Sequence, residues 1–260
     1  MKQRVITAIL AIIIFLPFVI YGNLPFTLFV YVIATIGLIE LMKMHKIAGY
    51  SLPSILSIGL LWIILLDNTD IIPYTWFSQT EIIMLGVMLL LSYTVLVKNK
   101  FNFDDAGFTL LSVIYVGMGF YYLIETREEG LSFVFFALFI VWATDTGAYF
   151  FGRALGKKKL WPMISPNKTV EGALGGILLA CIVAVIFQLV SPVSSSMLVV
   201  IGVTVLASVF GQIGDLVESA FKRHYGVKDS GNILPGHGGI LDRFDSLLFV
   251  LPLLHFVGFI

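Results

Sequence analysis

The sequence has 260 residues, of which 58% are hydrophobic and 12% are charged, and its mean hydropathy is +0.99. An ordinary soluble domain carries about 25% charged residues, so this composition excludes a water-soluble protein and indicates one membrane domain over residues 1–260. The 16 basic and 16 acidic residues cancel, which leaves no charge excess for a nucleic-acid partner or for peripheral attachment to a membrane.

Nine apolar segments can be marked along the chain, each a candidate for the roughly 20 residues that a transmembrane helix needs. The segments at 52–66 and 131–144 are short for a full crossing. The first segment follows a basic start, as in a signal peptide, but no small-x-small cleavage site comes after it, so we expect a retained span. The nine segments lie near residues 5–21, 24–41, 52–66, 82–97, 106–124, 131–144, 172–190, 196–214 and 246–260.

The basic residues indicate which ends of these segments face the cytoplasm. If the N-terminus is cytoplasmic, fifteen of the sixteen Lys and Arg residues fall in cytoplasmic connections, and only Arg127 falls outside. This asymmetry obeys the positive-inside rule, and adding or removing one span would destroy it. The sequence therefore predicts an all-α integral membrane protein with about nine transmembrane helices, its N-terminus cytoplasmic and its C-terminus outside.

Polar residues are distributed unevenly between the two halves of the chain. Residues 1–130 are mainly N-terminal spans with short connections, the longest being an outer loop at 67–81. Residues 131–260 contain two long polar stretches, 145–171 and 215–245, which the alternation of spans places in the cytoplasm. We expect any catalytic chemistry in this second half.

Two pairs of acids frame the last cytoplasmic stretch. Asp215 and Glu218 are three residues apart, as are Asp242 and Asp245, so both members of each pair share one face if the backbone is helical. Clustered carboxylates near a membrane are costly and need a cation, and Mg²⁺ prefers carboxylate and phosphate oxygens. Asp145, which follows the sixth segment, is a further candidate ligand. The alternative interpretation is a set of ordinary ion pairs with Lys222, Arg223 and Arg243.

Two other sets of residues are candidates for phosphate binding. In the loop LPGHGG, residues 234–239, the glycines allow the backbone to approach an anion closely. His237 either binds phosphate there or makes an ordinary polar contact. Ser165, Lys168 and Thr169 precede a predicted helix start, where a phosphate can be held at the helix N-terminus.

Three further features have a structural explanation. The lysines at 157–159 are typical of a cluster that faces anionic lipid and fixes the topology, with direct contact to substrate as the alternative. Gly172 and Gly176, four residues apart, predict a helix-packing face. Cys181 is the single cysteine and lies in an apolar run, so no intramolecular disulfide can form.

The long stretch SAFKRHYGVKDSGNILPGHGGILDRFD, Ser219 to Asp245, closely resembles the signature of the phosphatidate cytidylyltransferases, also called CDP-diacylglycerol synthases. The earlier DTGAYFFGRALGKKKL and SPNKTVEG also resemble blocks of that family. The resemblance implies a Mg²⁺-dependent reaction in which a phosphate oxygen of phosphatidate attacks the α-phosphorus of CTP and pyrophosphate leaves. It also implies a bacterial inner-membrane enzyme for phospholipid biosynthesis, whose active site faces the cytoplasm.

The resemblance implies roles for individual residues as well. Two cations are conceivable, because phosphoryl-transfer sites often hold a pair of metal ions. The apolar N-terminal spans offer a face for a homodimer.

We expect Asp215, Asp242 and Asp245 to bind the metal, with Glu218 and Asp145 as weaker candidates. The residues expected to bind phosphates are Lys222, Arg223, Lys228 and Arg243. The expected substrate-binding residues are Lys228, Asp229, Ser230, His237, Gly238, Gly239, Ser165, Lys168 and Thr169.

Two other functions remain open at the level of sequence. A CTP-dependent polyprenol or other lipid kinase would use the same lipid, metal and nucleotide but would transfer the γ-phosphoryl group. An ion-coupled transporter would use intramembrane acids as an ion path, but it would be expected to show paired repeats and broken helices in both halves. The polar residues here concentrate in one half, which disfavours a transporter.

Overall fold

The computed structural model describes residues 2–47, 49, 51–66 and 78–260, without the side chains of 2–5, 8 and 79. Most of the predicted outer loop at 67–81 therefore lies outside the described residues. Within them the backbone is almost entirely helical. The elements are α1 (Lys2–Tyr21), α2 (Asn23–Met44), α3 (Leu52–Leu66), α4 (Gln79–Leu96), α5 (Phe103–Glu129), α6 (Leu131–Leu155), β1 (Lys159–Trp161), β2 (Ser165–Thr169), α7 (Val170–Val190), α8 (Met197–His224), α9 (Leu241–Phe244) and α10 (Leu247–Phe256).

Among the described residues, five helices are long and apolar enough to cross a membrane: α2, α5, α6, α7 and α8. Shorter apolar helices cover Ile9–Tyr21, Leu52–Leu66, Thr80–Leu96 and Leu247–Phe256. At 1.5 Å per residue, the 10 residues of α10 extend about 15 Å, half the thickness of a hydrocarbon core. The prediction of a helical membrane protein is confirmed at this level, and nine complete crossings remain a prediction.

Large aliphatic side chains on the helix surfaces agree with a membrane environment. Leu189, Val190 and Leu198 are 73%, 81% and 82% exposed. Soluble monomers rarely expose wide apolar surfaces, whereas such surfaces are stable in contact with lipid.

Two helices extend beyond the ends that the hydropathy pattern predicts. α6 continues past residue 144 to Leu155, where it stops before Gly156, and α8 continues past residue 214 to His224. Asp145 and Asp215 therefore lie inside long helices and not at their ends. A fall in hydropathy marks the edge of the membrane, but it does not interrupt the backbone hydrogen bonds of a helix.

A short hairpin follows α6, and the prediction of an all-α protein did not include it. β1 and β2 pair antiparallel, with Lys159 opposite Thr169 and Trp161 opposite Ser165. The hairpin leads directly into α7, where Thr169 is the N-cap and its Oγ1 accepts a hydrogen bond from Gly172 N at 3.1 Å. Residues 165–169 are thus a strand and a cap, a geometry that sequence periodicity over so few residues cannot reveal.

The chain divides into two compact units. The first contains Met1–Glu125 and Ser230–Ile240, and the second contains Thr126–Asp229 and Leu241–Ile260. In the first unit, α1, α2, α3 and α4 pack in chain order. The second unit contains α6, the hairpin, α7, α8, α9 and α10, and α6 packs most extensively against α7.

Small residues bring α6 and α7 close together in the second unit. A Cβ added to Gly147 would lie 2.7 Å from Gly175 O, and one added to Gly176 would lie 2.7 Å from Thr144 O. Gly172 would likewise meet Ala148 O at 2.8 Å. The predicted packing face at Gly172 and Gly176 is therefore confirmed, and it fixes the α6 turn that carries Asp145.

Hydrogen bonds attach α8 to this helix pair. Thr144 Oγ1 donates to Ser208 Oγ at 2.8 Å, one residue before Asp145, and both residues are buried. Gln212 Nε2 donates to Ala173 O at 3.3 Å. These contacts align the polar end of α8 with the polar ends of α6 and α7.

Candidate active site

A cavity of about 470 Å³ opens in the second unit at the polar ends of its long helices. Side chains from α6, the hairpin, the start of α7 and α8 surround it. Its lining includes both acids and bases, so it is suited to a charged ligand more than to an apolar one. The lining residues are Asp145, Ala148, Tyr149, Gly152, Arg153, Leu160, Asn167, Lys168, Thr169, Gly172, Ala173, Gln212 and Asp215.

Lys168 and Asp215 form an ion pair in this lining. Lys168 Nζ lies 2.6 Å from Asp215 Oδ2, with the two side chains 26% and 32% exposed. Asp145, also in the lining, lies within electrostatic range of both. Four of the predicted site residues, from two helices and a strand, therefore line one cavity: Asp145, Lys168, Thr169 and Asp215.

A second group of charged residues is almost fully buried in the same unit. Lys222 Nζ donates to Glu218 Oε2 at 2.7 Å and to Asp242 Oδ1 at 2.6 Å. The Glu218 and Asp242 side chains are only 1% and 4% exposed. Because buried carboxylates need compensation, Lys222 serves here as their cation. The sequence assigned Lys222 to phosphate clamping, and the structure shows it between two acids.

Asp245 connects the two groups. It lies one helical turn after Leu241, since Asp245 N donates to Leu241 O at 2.9 Å. Asp215, Glu218 and Asp145 all interact electrostatically with it. Burial, and after it the charge of Asp215, raises the pKa of the Asp245 carboxyl to about 7. Negative charge is thus concentrated at this end of the helices.

The charges of this cluster fit a hard divalent cation. Five carboxylates (Asp145, Asp215, Glu218, Asp242 and Asp245) interact with three cationic groups (Lys168, Lys222 and Arg243). The carboxyl groups thus outnumber the cationic groups by two. Glu218 Oε1 is buried without a hydrogen-bond partner among the described residues, so one oxygen still needs a positive partner. Across 2–47, 49, 51–66 and 78–260, no three His, Cys, Asp or Glu side chains already converge as a metal site.

Several predicted site residues lie away from this cavity lining. Arg223 is exposed, and its Nε donates to Ile164 O at 3.2 Å, which ties α8 to the hairpin. Ser165 pairs with Trp161 in the hairpin. Lys228 and Asp229 are exposed in the connection after α8.

The remaining predicted residues belong to the segment Ser230–Ile240 of the first unit. His237 N donates to Leu234 O at 2.8 Å, and Leu234 N donates to Gly238 O at 2.9 Å, which closes a tight turn around His237. Gly238 has a φ of 85°, which favours glycine. Ser230 Oγ donates to Glu40 Oε2 at 3.0 Å, so this hydroxyl has a structural partner within the unit.

Sequence reasoning missed some of these residues. Tyr149, Arg153 and Gln212 line the cavity, but each is a common residue type without a distinctive spacing. Glu40 could have been found, because an acid inside the apolar run TIGLIELM is a signal of function in a membrane helix.

Comparison with known proteins relates the whole chain to one family. A model of the cytidylyltransferase family matches residues 2–260. A phosphatidate cytidylyltransferase of Bacillus subtilis strain 168 is 54% identical over 265 residues, which cover 99% of this chain and 97% of the relative. Proteins of the same name from Staphylococcus saprophyticus and Staphylococcus aureus strain COL are 53% and 51% identical, each covering 98% of both chains. The similarity thus includes the N-terminal spans as well as the signature region.

Proposed function

Since the chain belongs to the cytidylyltransferase family, we propose that the charged cluster of its second unit carries out that family's chemistry at a membrane surface. The reaction is the transfer of a cytidylyl group from CTP to phosphatidate, which gives CDP-diacylglycerol and pyrophosphate. This is the activity for which the relatives are named. The single observation that supports the location is the cavity that brings Asp145, Lys168 and Asp215 together.

The reaction needs charge compensation more than covalent catalysis. A phosphate oxygen of phosphatidate forms a bond to the α-phosphorus of CTP, and the bond to the pyrophosphate oxygen breaks. Both reactants are anions, so positioned cations lower the barrier by placing the two groups in line and by stabilising the developing charge. Lys168 in the cavity and Arg243, which interacts electrostatically with Asp145, supply such charges.

Magnesium is the proposed cofactor. Asp215, Asp242 and Asp245 would hold it, with Glu218 and Asp145 nearby, and the excess of acids leaves room for a second cation. The buried unpartnered oxygen of Glu218 supports a cation requirement in this cluster. When bound, Mg²⁺ neutralises phosphate oxygens and polarises the phosphoryl group under attack.

Phosphate binding is proposed for the exposed cationic residues of the second unit and, separately, for the glycine-rich turn of the first unit. Arg223, Lys228 and Arg243 are exposed and can reach a soluble anion. In the first unit, the turn at 234–238 presents His237 between two glycines. Backbone amides in such turns bind phosphate well.

Contacts inside each unit support the proposed nine-span topology. In the first unit, Thr7 near the start of α1 donates to Pro235 O at 2.9 Å. In the second, Ser132 at the start of α6 and Ser191 after α7 are 3.2 Å apart. Thr126 near the end of α5 bonds His255 near the end of α10 at 3.0 Å. Each contact joins parts of the chain that the alternation of spans assigns to one side of the membrane.

In the proposed topology the protein spans the inner membrane of a bacterial cell with its basic residues in the cytoplasm, and the cavity opens on the cytoplasmic side. CTP arrives from the cytoplasm, and the phosphatidate head group lies at the interface of the bilayer. A homodimer through the N-terminal spans stays part of the proposal, and the mass of the purified protein in detergent tests it.

The deciding experiment uses purified enzyme, phosphatidate, Mg²⁺ and CTP radiolabelled at its α-phosphorus, followed by lipid extraction. We expect label in the lipid, and its loss on addition of EDTA. CTP labelled at the γ-phosphorus should leave the lipid unlabelled. The opposite pattern, γ-label in the lipid and no α-label, would identify a lipid kinase instead.

A further inference from the structure

Glu40 is a buried acid in the last turns of α2, a helix apolar enough to cross a membrane. Its side chain is 5% exposed. An acid in such surroundings is expensive unless several hydrogen bonds compensate it. The sequence alone assigned no role to Glu40, so its role is inferred from its hydrogen-bond partners.

Those partners are the two ends of one segment. Ser230 Oγ donates to Glu40 Oε2 at 3.0 Å, and Ile240 N donates to Glu40 Oε1 at 2.9 Å. Both carboxylate oxygens are therefore used, one at each end of Ser230–Ile240. The side chain closes this segment into a loop, and all three residues belong to the same compact unit.

The glycines of the loop divide into two groups with different physical reasons. Gly236 and Gly238 have φ values of 77° and 85°, so the turn itself requires them. Gly231 and Gly239 have no such requirement, but a Cβ on either one would collide with the carboxylate of Glu40. Two of the four glycines, Gly231 and Gly239, thus leave the space that the Glu40 carboxylate needs to reach the loop backbone.

The middle of the loop is fixed separately. Leu234 and Gly238 form an antiparallel bridge, and Thr7 of α1 donates to Pro235 O at 2.9 Å. Held at its ends by Glu40 and at its tip by Thr7, the loop has little conformational entropy left to lose when it binds a ligand.

We propose that Glu40 is a positioning residue that preorganises the loop Ser230–Ile240 for the phosphate groups of CTP. The carboxylate itself does not touch substrate. The part of this inference that concerns CTP rests on the function proposed above, whereas the closure of the loop by Glu40 does not.

The test uses the full-length enzyme in detergent and three variants of α2. Glu40→Leu removes both acceptors and keeps the helix apolar. Glu40→Gln keeps a carbonyl oxygen for Ile240 N–H and offers an amide to the Ser230 hydroxyl, so it should restore most of the contact. Thr27→Val is the matched control, because Thr27 is buried in the same helix and donates only within it, to Asn23 O.

Two measurements are made on each variant: hydrogen exchange of the peptide that spans the loop without ligand, and steady-state kinetics. For Glu40→Leu we expect exchange at Ile240 to accelerate and KM for CTP to rise, each roughly tenfold, the usual effect of losing hydrogen bonds to a charged group. KM for phosphatidate should stay within about twofold, because the loop is assigned to the nucleotide. Glu40→Gln and Thr27→Val should remain near the parent enzyme.

The outcomes separate the two parts of the inference. Unchanged exchange in a folded Glu40→Leu variant overturns the positioning role. Faster exchange with an unchanged KM for CTP keeps the loop closure but overturns its link to CTP, and with it the proposed role of the glycine turn. If Glu40→Leu does not fold, Ser230→Ala replaces it: a smaller acceleration of exchange supports the inference, and none refutes it.

Discussion

Lys168 Nζ lies 2.6 Å from Asp215 Oδ2, a contact that joins the hairpin to helix α8 at the candidate active site. The pair holds the lysine side chain in place inside a cavity that also contains Asp145. Among the described residues, Lys168 and Arg153 are the two cationic residues of the cavity lining, which also contains two acids, Asp145 and Asp215. The relationship leads to a first prediction about substrate binding.

Replacement of Lys168 by Met should lower kcat/KM by about 100-fold, because a charge-assisted contact to phosphate is lost and Asp215 loses its cation. Initial rates of lipid labelling measure this. Lys157→Met is the control, because Lys157 is exposed and does not belong to the cavity lining, and its backbone N–H donates to Glu171 Oε2 at 3.1 Å. Equal losses in the two variants would contradict a specific role for Lys168.

Asp242→Asn should abolish turnover while the protein stays folded. The substitution keeps the shape of the side chain but removes one of the two carboxylates that Lys222 bridges and one proposed metal ligand. Activity and thermal unfolding are measured together, and Asp104→Asn, which changes an exposed acid in the first turn of α5, is the matched control. Wild-type activity of Asp242→Asn would refute the metal assignment.

Arg243→Lys should reduce kcat by about tenfold although the charge is kept. A lysine has no planar fork of donors, so it cannot bind a phosphate through two parallel hydrogen bonds. Kinetics at saturating CTP and phosphatidate measure the loss. An unchanged kcat would mean that Arg243 acts only through its charge, as it does on Asp145.

Gly176→Ala should destabilise the second unit by roughly 1–3 kcal/mol, because its Cβ would lie 2.7 Å from Thr144 O and the backbones of α6 and α7 would have to separate. Gly202→Ala in α8 is the control. Nothing lies within 4 Å of its added Cβ, so stability should stay equal or rise slightly through better helix propensity. Thermal unfolding in one detergent compares them, and an equally stable Gly176→Ala variant would refute the close packing.

Membrane topology can be tested by labelling single cysteines in intact cells, with Cys181→Ser as the background. Ser195→Cys, in the exposed connection between α7 and α8, should react with an impermeant thiol reagent. Lys157→Cys should react only after the membrane is opened. The reverse pattern would invert the proposed orientation.

The sequence was most informative about features that depend on residues close together along the chain. Each predicted apolar segment corresponds to a helix, and the resemblance to the cytidylyltransferases is confirmed by a match to residues 2–260. The pair Asp215 and Glu218 does lie on one helix, as the spacing predicted. Helices α6 and α8 continue past the apolar segments that end near residues 144 and 214, because hydropathy reports contact with lipid and not the continuity of backbone hydrogen bonds.

The sequence by itself determined that this is a helical membrane protein of this family. Its composition, apolar segments and signature motif depend only on residues that are close together along the chain. Only the tertiary structure decided that Lys168 pairs with Asp215, that Lys222 lies between Glu218 and Asp242, and that Glu40 closes the loop at Ser230. Apart from Lys222 and Glu218, which lie one helical turn apart, these partners are far apart in sequence, and their contacts depend on how closely helices and loops approach one another. How closely these elements approach is set by packing in three dimensions, and the periodicity of the sequence does not encode it.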